Sequence, residues 1–178
     1  MKINVTILAL SMSLLILLSN QSASALPSSG SKEVLVAGGY NRDIGTGSGN
    51  ANLDVSYGSY IDQALEVGLR QQFNYTIQKE TSDVWRAVTA PFVNYHLTAL
   101  GQNQSIVPFL GGQLGAVWND DDITGTIGPE GGFKFYMDNS TFLLARYQYQ
   151  WFFEKFGDVN ETQNSAHVGV LGLGFNWN

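Results

Sequence analysis

The chain ends in "HVGVLGLGFNWN" (residues 167–178). Successive side chains of an extended strand point to opposite faces. Gly169, Leu171, Leu173, Phe175 and Trp177 therefore share one face, and Val170, Gly172, Gly174 and Asn176 share the other. One face is large and apolar; the face behind it is nearly bare. A strand half-buried in a water-soluble protein turns its large residues toward a filled core. This stripe has little on its other side to form one, so its reading depends on the solvent that it meets.

The same period-two alternation recurs upstream, broken by polar and glycine-rich stretches, and helical periodicity is weak. The pattern predicts eight strands, at about 32–41, 50–58, 64–76, 85–97, 106–118, 125–137 and 141–153, followed by the terminal stretch. In "ALEVGLRQQFNY" (64–75), Leu65, Val67, Leu69, Phe73 and Tyr75 oppose Glu66, Gly68, Arg70, Gln72 and Asn74. The connections alternate between two kinds. Those after strands two, four and six are compact ("SYIDQ", "TALGQNQS", "MDNS"); those after strands one, three, five and seven are longer or more acidic. One end of the structure is trimmed and the other elaborated. "SYIDQALEVGL" and "FYMDNSTFLLAR" repeat one hairpin design, with an Asp-polar turn whose side chain bonds nearby backbone groups.

The chain opens with "MKINVTILALSMSLLILLSNQSASALP". Lys2, an apolar run over residues 3–18 and Ala23-Ser24-Ala25 have the layout of a cleavable secretory signal peptide spanning 1–25. The apolar run is short for a membrane anchor and lacks a basic stop-transfer cluster. A short segment, 26–31, then leads into a single domain, 32–178. With no cysteine in the chain, no disulfide can staple an exported domain. The net charge of −6 argues against nucleic acid as a partner. Charged residues make up 13% and aromatics 12% of the chain; so few charges suit a surface that is not wholly in water.

A half-buried strand pattern fits a sandwich or a lipocalin-like barrel as well as a membrane barrel. Three features favour lipid. Charges and glycines alternate on the polar faces, as the narrow interior of an eight-stranded barrel requires. Aromatics gather toward strand ends: Tyr57, Tyr60, Tyr75, Trp85, Tyr95, Trp118, Tyr136, Tyr149, Trp151 and Trp177, where amphipathic rings suit the membrane interface. The strand lengths also match a tilted crossing of the hydrocarbon layer. The expected fold is all-β: a single antiparallel up-and-down transmembrane β-barrel, closed so that no edge faces lipid.

"YIDQALEVGLR", "GPEGGFKFYMDNSTFLLARYQYQW" and "GVLGLGFNW" together resemble the small eight-stranded outer-membrane β-barrel proteins of Gram-negative bacteria, of the outer-membrane protein X/W/A type. The resemblance covers about residues 32–178. It implies a location in the outer membrane, a monomer surrounded by lipid and lipopolysaccharide, and passage through periplasmic chaperones and the barrel assembly machinery. It also implies that Leu171, Leu173, Phe175 and Trp177 form the C-terminal insertion signal. The family's last strand usually ends on its aromatic; here Asn178 follows Trp177.

The polar faces nominate an interior network of Glu66, Arg70, Arg86, Glu130, Lys134 and Arg146, with Gln72, Gln113, Gln148 and Gln150. In so narrow a barrel these form a hydrogen-bonded plug in preference to an open pore. Asp120, Asp121 and Asp122 could attract divalent cations, though a solvated loop is the simpler reading. Ser165 and His167, with Glu161 nearby, invite a comparison with lipid hydrolases. Side chains two apart on a strand lie roughly 6–7 Å from each other, too far for a nucleophile–base bond. His96 and His167 read as interfacial or loop-end residues. No hydrolase, zinc-protease or phosphate-loop motif occurs. The expected function is a non-enzymatic, cofactor-free barrel with a structural or surface-contact role. The alternatives are a narrow pore, a lipid-modifying enzyme or a soluble lipocalin-like binder.

Overall fold

The computed structural model describes residues 26–42, 49–77, 84–98, 105–118, 123–153 and 162–178. The expected signal peptide, the acidic run at 120–122 and Glu161 lie outside the described residues. The strands are β1 (Lys32–Arg42), β2 (Gly49–Tyr60), β3 (Leu65–Ile77), β4 (Val84–His96), β5 (Ile106–Trp118), β6 (Ile123–Tyr136), β7 (Thr141–Phe153) and β8 (Thr162–Trp177). Each pairs antiparallel with its sequence neighbours, and β8 returns to β1, closing an eight-stranded barrel. The seam sets Val34 opposite Phe175 and Val36 opposite Leu173. The all-β, up-and-down expectation is met. β8 begins at Thr162, earlier than its alternation suggested, because the backbone of the polar residues there pairs with the end of β7.

Alternation sorts the side chains as the sequence implies. Leu171, Leu173, Phe175 and Trp177 point outward, and Leu171 is 71% exposed. Outward residues of the other strands, such as Leu53, Leu69, Leu110, Leu114 and Phe133, continue this apolar band around the barrel. Gly174 faces inward, where a Cβ would overlap the Phe142 ring; glycine at this position lets a large neighbour fill the lumen. Buried apolar side chains, among them Leu35, Val107, Phe109, Phe142 and Leu144, pack one end of the interior. Val88, Ala90 and Val117 form a smaller cluster toward the other.

Two prolines interrupt the ladders. Pairing between β4 and β5 skips Ala90 and Pro91, and pairing between β6 and β7 skips Gly128 and Pro129. Proline has no N–H to donate to a neighbouring strand. The two hairpin turns share one design. Asp62 Oδ1 accepts the amides of Ala64 and Leu65 at 2.7 and 2.8 Å. Asp138 Oδ1 accepts those of Ser140 and Thr141 at 2.7 and 2.8 Å. The internal repeat read from the sequence is therefore a repeated Asp-centred turn, both copies at the barrel end that carries Trp177.

That end is also where the short segment before β1 attaches. Gly30 N–H donates to the Tyr60 carbonyl at 2.8 Å, and Tyr60 N–H donates to the Ser31 carbonyl at 2.9 Å. The Ser31 hydroxyl donates to Asn178 Oδ1 at 2.6 Å. The residue beyond the terminal aromatic thus fastens one end of the chain to the segment that begins the barrel.

Candidate functional site in the barrel interior

Inward-facing polar residues meet in two layers. The layer nearer the short turns is built around Lys134 on β6. Its ammonium donates to Glu33 Oε1 and Oε2 at 2.8 and 2.6 Å, to Glu66 Oε2 at 3.1 Å and to the Tyr60 hydroxyl at 2.9 Å. Tyr60 in turn donates to Glu33 Oε2 at 2.8 Å. His96 Nε2 lies 2.9 Å from Glu66 Oε2. One ammonium therefore serves two carboxylates. The ring of Phe142 lies 4.9 Å from the lysine nitrogen and adds a cation–π contact.

The central layer is charge-balanced. Arg70 on β3 grips Glu130 on β6 through both guanidinium ends, at 2.6 and 2.9 Å; this two-pronged geometry is the strong form of such a pair. Arg70 also donates to Gln113 Oε1 at 2.7 Å. Arg146 on β7 donates to Asp54 on β2. The diagonals are longer: Arg70 Nε lies 3.7 Å from Asp54, and Arg146 Nε 3.8 Å from Glu130. Gln148 donates to Glu130 at 2.6 Å, Gln72 to Asp54 at 3.1 Å and Gln150 to Gln72 at 3.2 Å. Gln148 and Gln72 thus add a second donor to Glu130 Oε2 and Asp54 Oδ2, which already accept from Arg70 and Arg146, and Gln150 supplies a donor to Gln72 Oε1.

Of the six charged residues nominated from sequence, Glu66, Arg70, Glu130, Lys134 and Arg146 are buried in these layers. Arg86 differs. It faces the lumen from the far end of β4, is exposed, and lies over Phe152 with its guanidinium carbon 4.9 Å from the ring centre. Its position near the strand end carries it beyond the packed network. The nominated glutamines all join the central layer.

Sequence reasoning missed Glu33 and Asp54 as network members. Parity was the available signal, since Val34 and Val36 flank an inward Glu33–Leu35 face, and Leu53 and Val55 bracket Asp54. Three interfacial assignments are corrected. Tyr60 and Tyr136 are inside: Tyr60 bonds Glu33, and the Tyr136 hydroxyl accepts from Asn176 at 2.9 Å. His96, read as an interfacial or loop-end residue, is also inside against Glu66. His167 does lie outside, among Tyr147 and Tyr149, with its Nδ1 hydrogen-bonded to the Tyr147 hydroxyl. Ser165 is exposed two positions away. Among the described residues, no cluster of three or more potential metal ligands occurs.

No family model and no curated protein matches the chain. Solved structures do. The N-terminal β-barrel domain of Pseudomonas aeruginosa OprF is 19% identical, with a TM-score of 0.54 over 85% of this chain and 100% of that one. Neisserial surface protein A is 16% identical, with a TM-score of 0.56 over 82% and 93%. The outer membrane protein OprG from Pseudomonas aeruginosa is 11% identical, with a TM-score of 0.52 over 87% and 100%. With its closed eight-stranded topology, outward apolar band and charged lumen, the chain has the fold of the small outer-membrane β-barrels.

Proposed function

We propose that the protein is an integral outer-membrane barrel with a plugged interior and a structural or surface-contact role. The observation that carries this reading is the Arg70–Glu130 pair, which joins β3 to β6 across the lumen. Lys134 and Glu33 make a second crossing, from β6 to β1. Charges held at two ends by partners on opposite walls act as cross-braces. The apolar outer band then supplies the contact with lipid, and the loops of the elaborated end supply contact with whatever lies outside the cell.

Leu171, Leu173, Phe175 and Trp177 serve as the terminal insertion signal in this reading. Trp177 anchors the last strand at the periplasmic interface, beside Tyr57 at a ring separation of 6.3 Å. Lipid and lipopolysaccharide are the surroundings; chaperones and the assembly machinery act during biogenesis. Export of the full chain, followed by membrane fractionation and unheated gel electrophoresis, tests the location. Outer-membrane recovery with heat-modifiable migration is expected; recovery as a soluble periplasmic protein overturns it.

A pore is the second reading. One observation favours it: the crossings are side-chain ion pairs, which can part without breaking any strand ladder.

A further inference from the structure

Above the central layer, at the end away from the short turns, the lumen widens into an open cup of about 520 Å³. This is within the roughly 300–1,000 Å³ of small-molecule sites. Its two walls differ. Asn50 and Asn52 on β2, Asn74 and Thr76 on β3, and Arg86 on β4 line one side. They are neighbours in register: Asn52 pairs with Asn74, Asn50 with Thr76, and Asn74 with Arg86. Phe152 on β7 with Ala166 and Val168 on β8 makes the other side apolar. Gln150, bonded to Gln72, lies where the cup meets the plug.

The polar wall is built for a ligand with several hydroxyls. Asn50 donates to the Thr76 hydroxyl at 3.1 Å, which fixes that amide. Arg86 is the only charged side chain lining the cup among the described residues, and no described carboxylate pairs with it. Arg86 lies over Phe152 with its guanidinium carbon 4.9 Å from the ring centre, which holds the charge at the cup.

An apolar wall, amides able to bind hydroxyls and one guanidinium with no carboxylate partner among the described residues together describe a sugar that carries a carboxylate. We propose that this vestibule is a binding site for a small uronic acid. Arg86 takes the carboxylate, the amides of Asn52 and Asn74 take ring hydroxyls, and Ala166 and Val168 pack against the C–H face. This site is separate from the buried plug and does not require the lumen to conduct.

The test is a titration of the refolded barrel in detergent micelles, followed by NMR of the side-chain amides and the Arg86 Nε–H. Glucuronate is expected to shift Asn52, Asn74 and Arg86 saturably, and to bind roughly tenfold tighter than glucose, the worth of one charge-assisted contact. Arg86→Gln is expected to bring glucuronate down to the level of glucose while keeping heat-modifiable migration. Asn74→Leu is expected to weaken both sugars. The proposal is overturned by an absence of saturable shifts, by equal binding of the two sugars to the unaltered protein, or by glucuronate binding that ignores Arg86→Gln.

Discussion

Lys134 on β6 holds both carboxylate oxygens of Glu33 on β1, at 2.8 and 2.6 Å, across a barrel interior that excludes water from both groups. The two residues are 101 positions apart, so the contact exists only once the barrel has closed. Such a pair reports closure more directly than any contact within one hairpin.

Replacing Lys134 by methionine keeps the bulk and removes the charge. Glu33 and Glu66 then remain buried without their cation, which costs roughly 3–5 kcal/mol. Urea unfolding in micelles is expected to show that loss. Adding Glu33→Gln should recover part of it, because one of the two stranded carboxylates becomes neutral. A Lys134→Met barrel as stable as the parent would contradict the cross-brace account.

Asp138 offers a test outside the membrane. The backbone N–H of Ser140, first among its partners, holds the Asp138 carboxyl below its ordinary value of 3.8. A carboxylate depressed in the folded state stabilises the fold above the unfolded value and loses that contribution as pH falls through the folded one. Asp138→Ala is therefore expected to lower the unfolding midpoint at neutral pH. The difference should shrink in acid strong enough to protonate the folded turn. A gap that stays constant with pH would assign the effect to turn shape alone.

Asn178 bonds Ser31 at 2.6 Å and also accepts from Ser28 at 3.3 Å. Its removal is expected to loosen the β8–β1 seam near Trp177 while leaving the band of Leu171, Leu173 and Phe175 intact. Amide exchange of Ser31 and Lys32 in the Asn178→Ala variant should speed up, and that of the β5–β6 hairpin should not. Equal exchange at both places would deny the fastening role.

Much of this barrel is legible from alternation alone. Leu171, Leu173, Phe175 and Trp177 declare their face because period two leaves no other arrangement, and the Asp62 and Asp138 turns declare theirs by a repeated motif. The interior was legible as a set of residues but not as pairs. Whether Arg70 meets Glu130 or Glu66 depends on strand register and stagger, which no single strand carries. Tyr60, Tyr136 and His96 were misassigned for a related reason. An aromatic or histidine near a strand end suits the interface by composition, and only its parity with Ser56, Lys134 or Asn94 places it inside. Arg86 has the right parity but sits too near the end of β4 for the packed layers.

The central claim is that the lumen is braced shut, and single-channel recording in planar bilayers tests it most directly. The unaltered protein is expected to give no steady conductance above the bare bilayer. The double variant Arg70→Ala, Glu130→Ala removes the main crossing and is expected to admit current. A stable, ohmic conductance from the unaltered barrel would contradict the account and establish the interior as a pore.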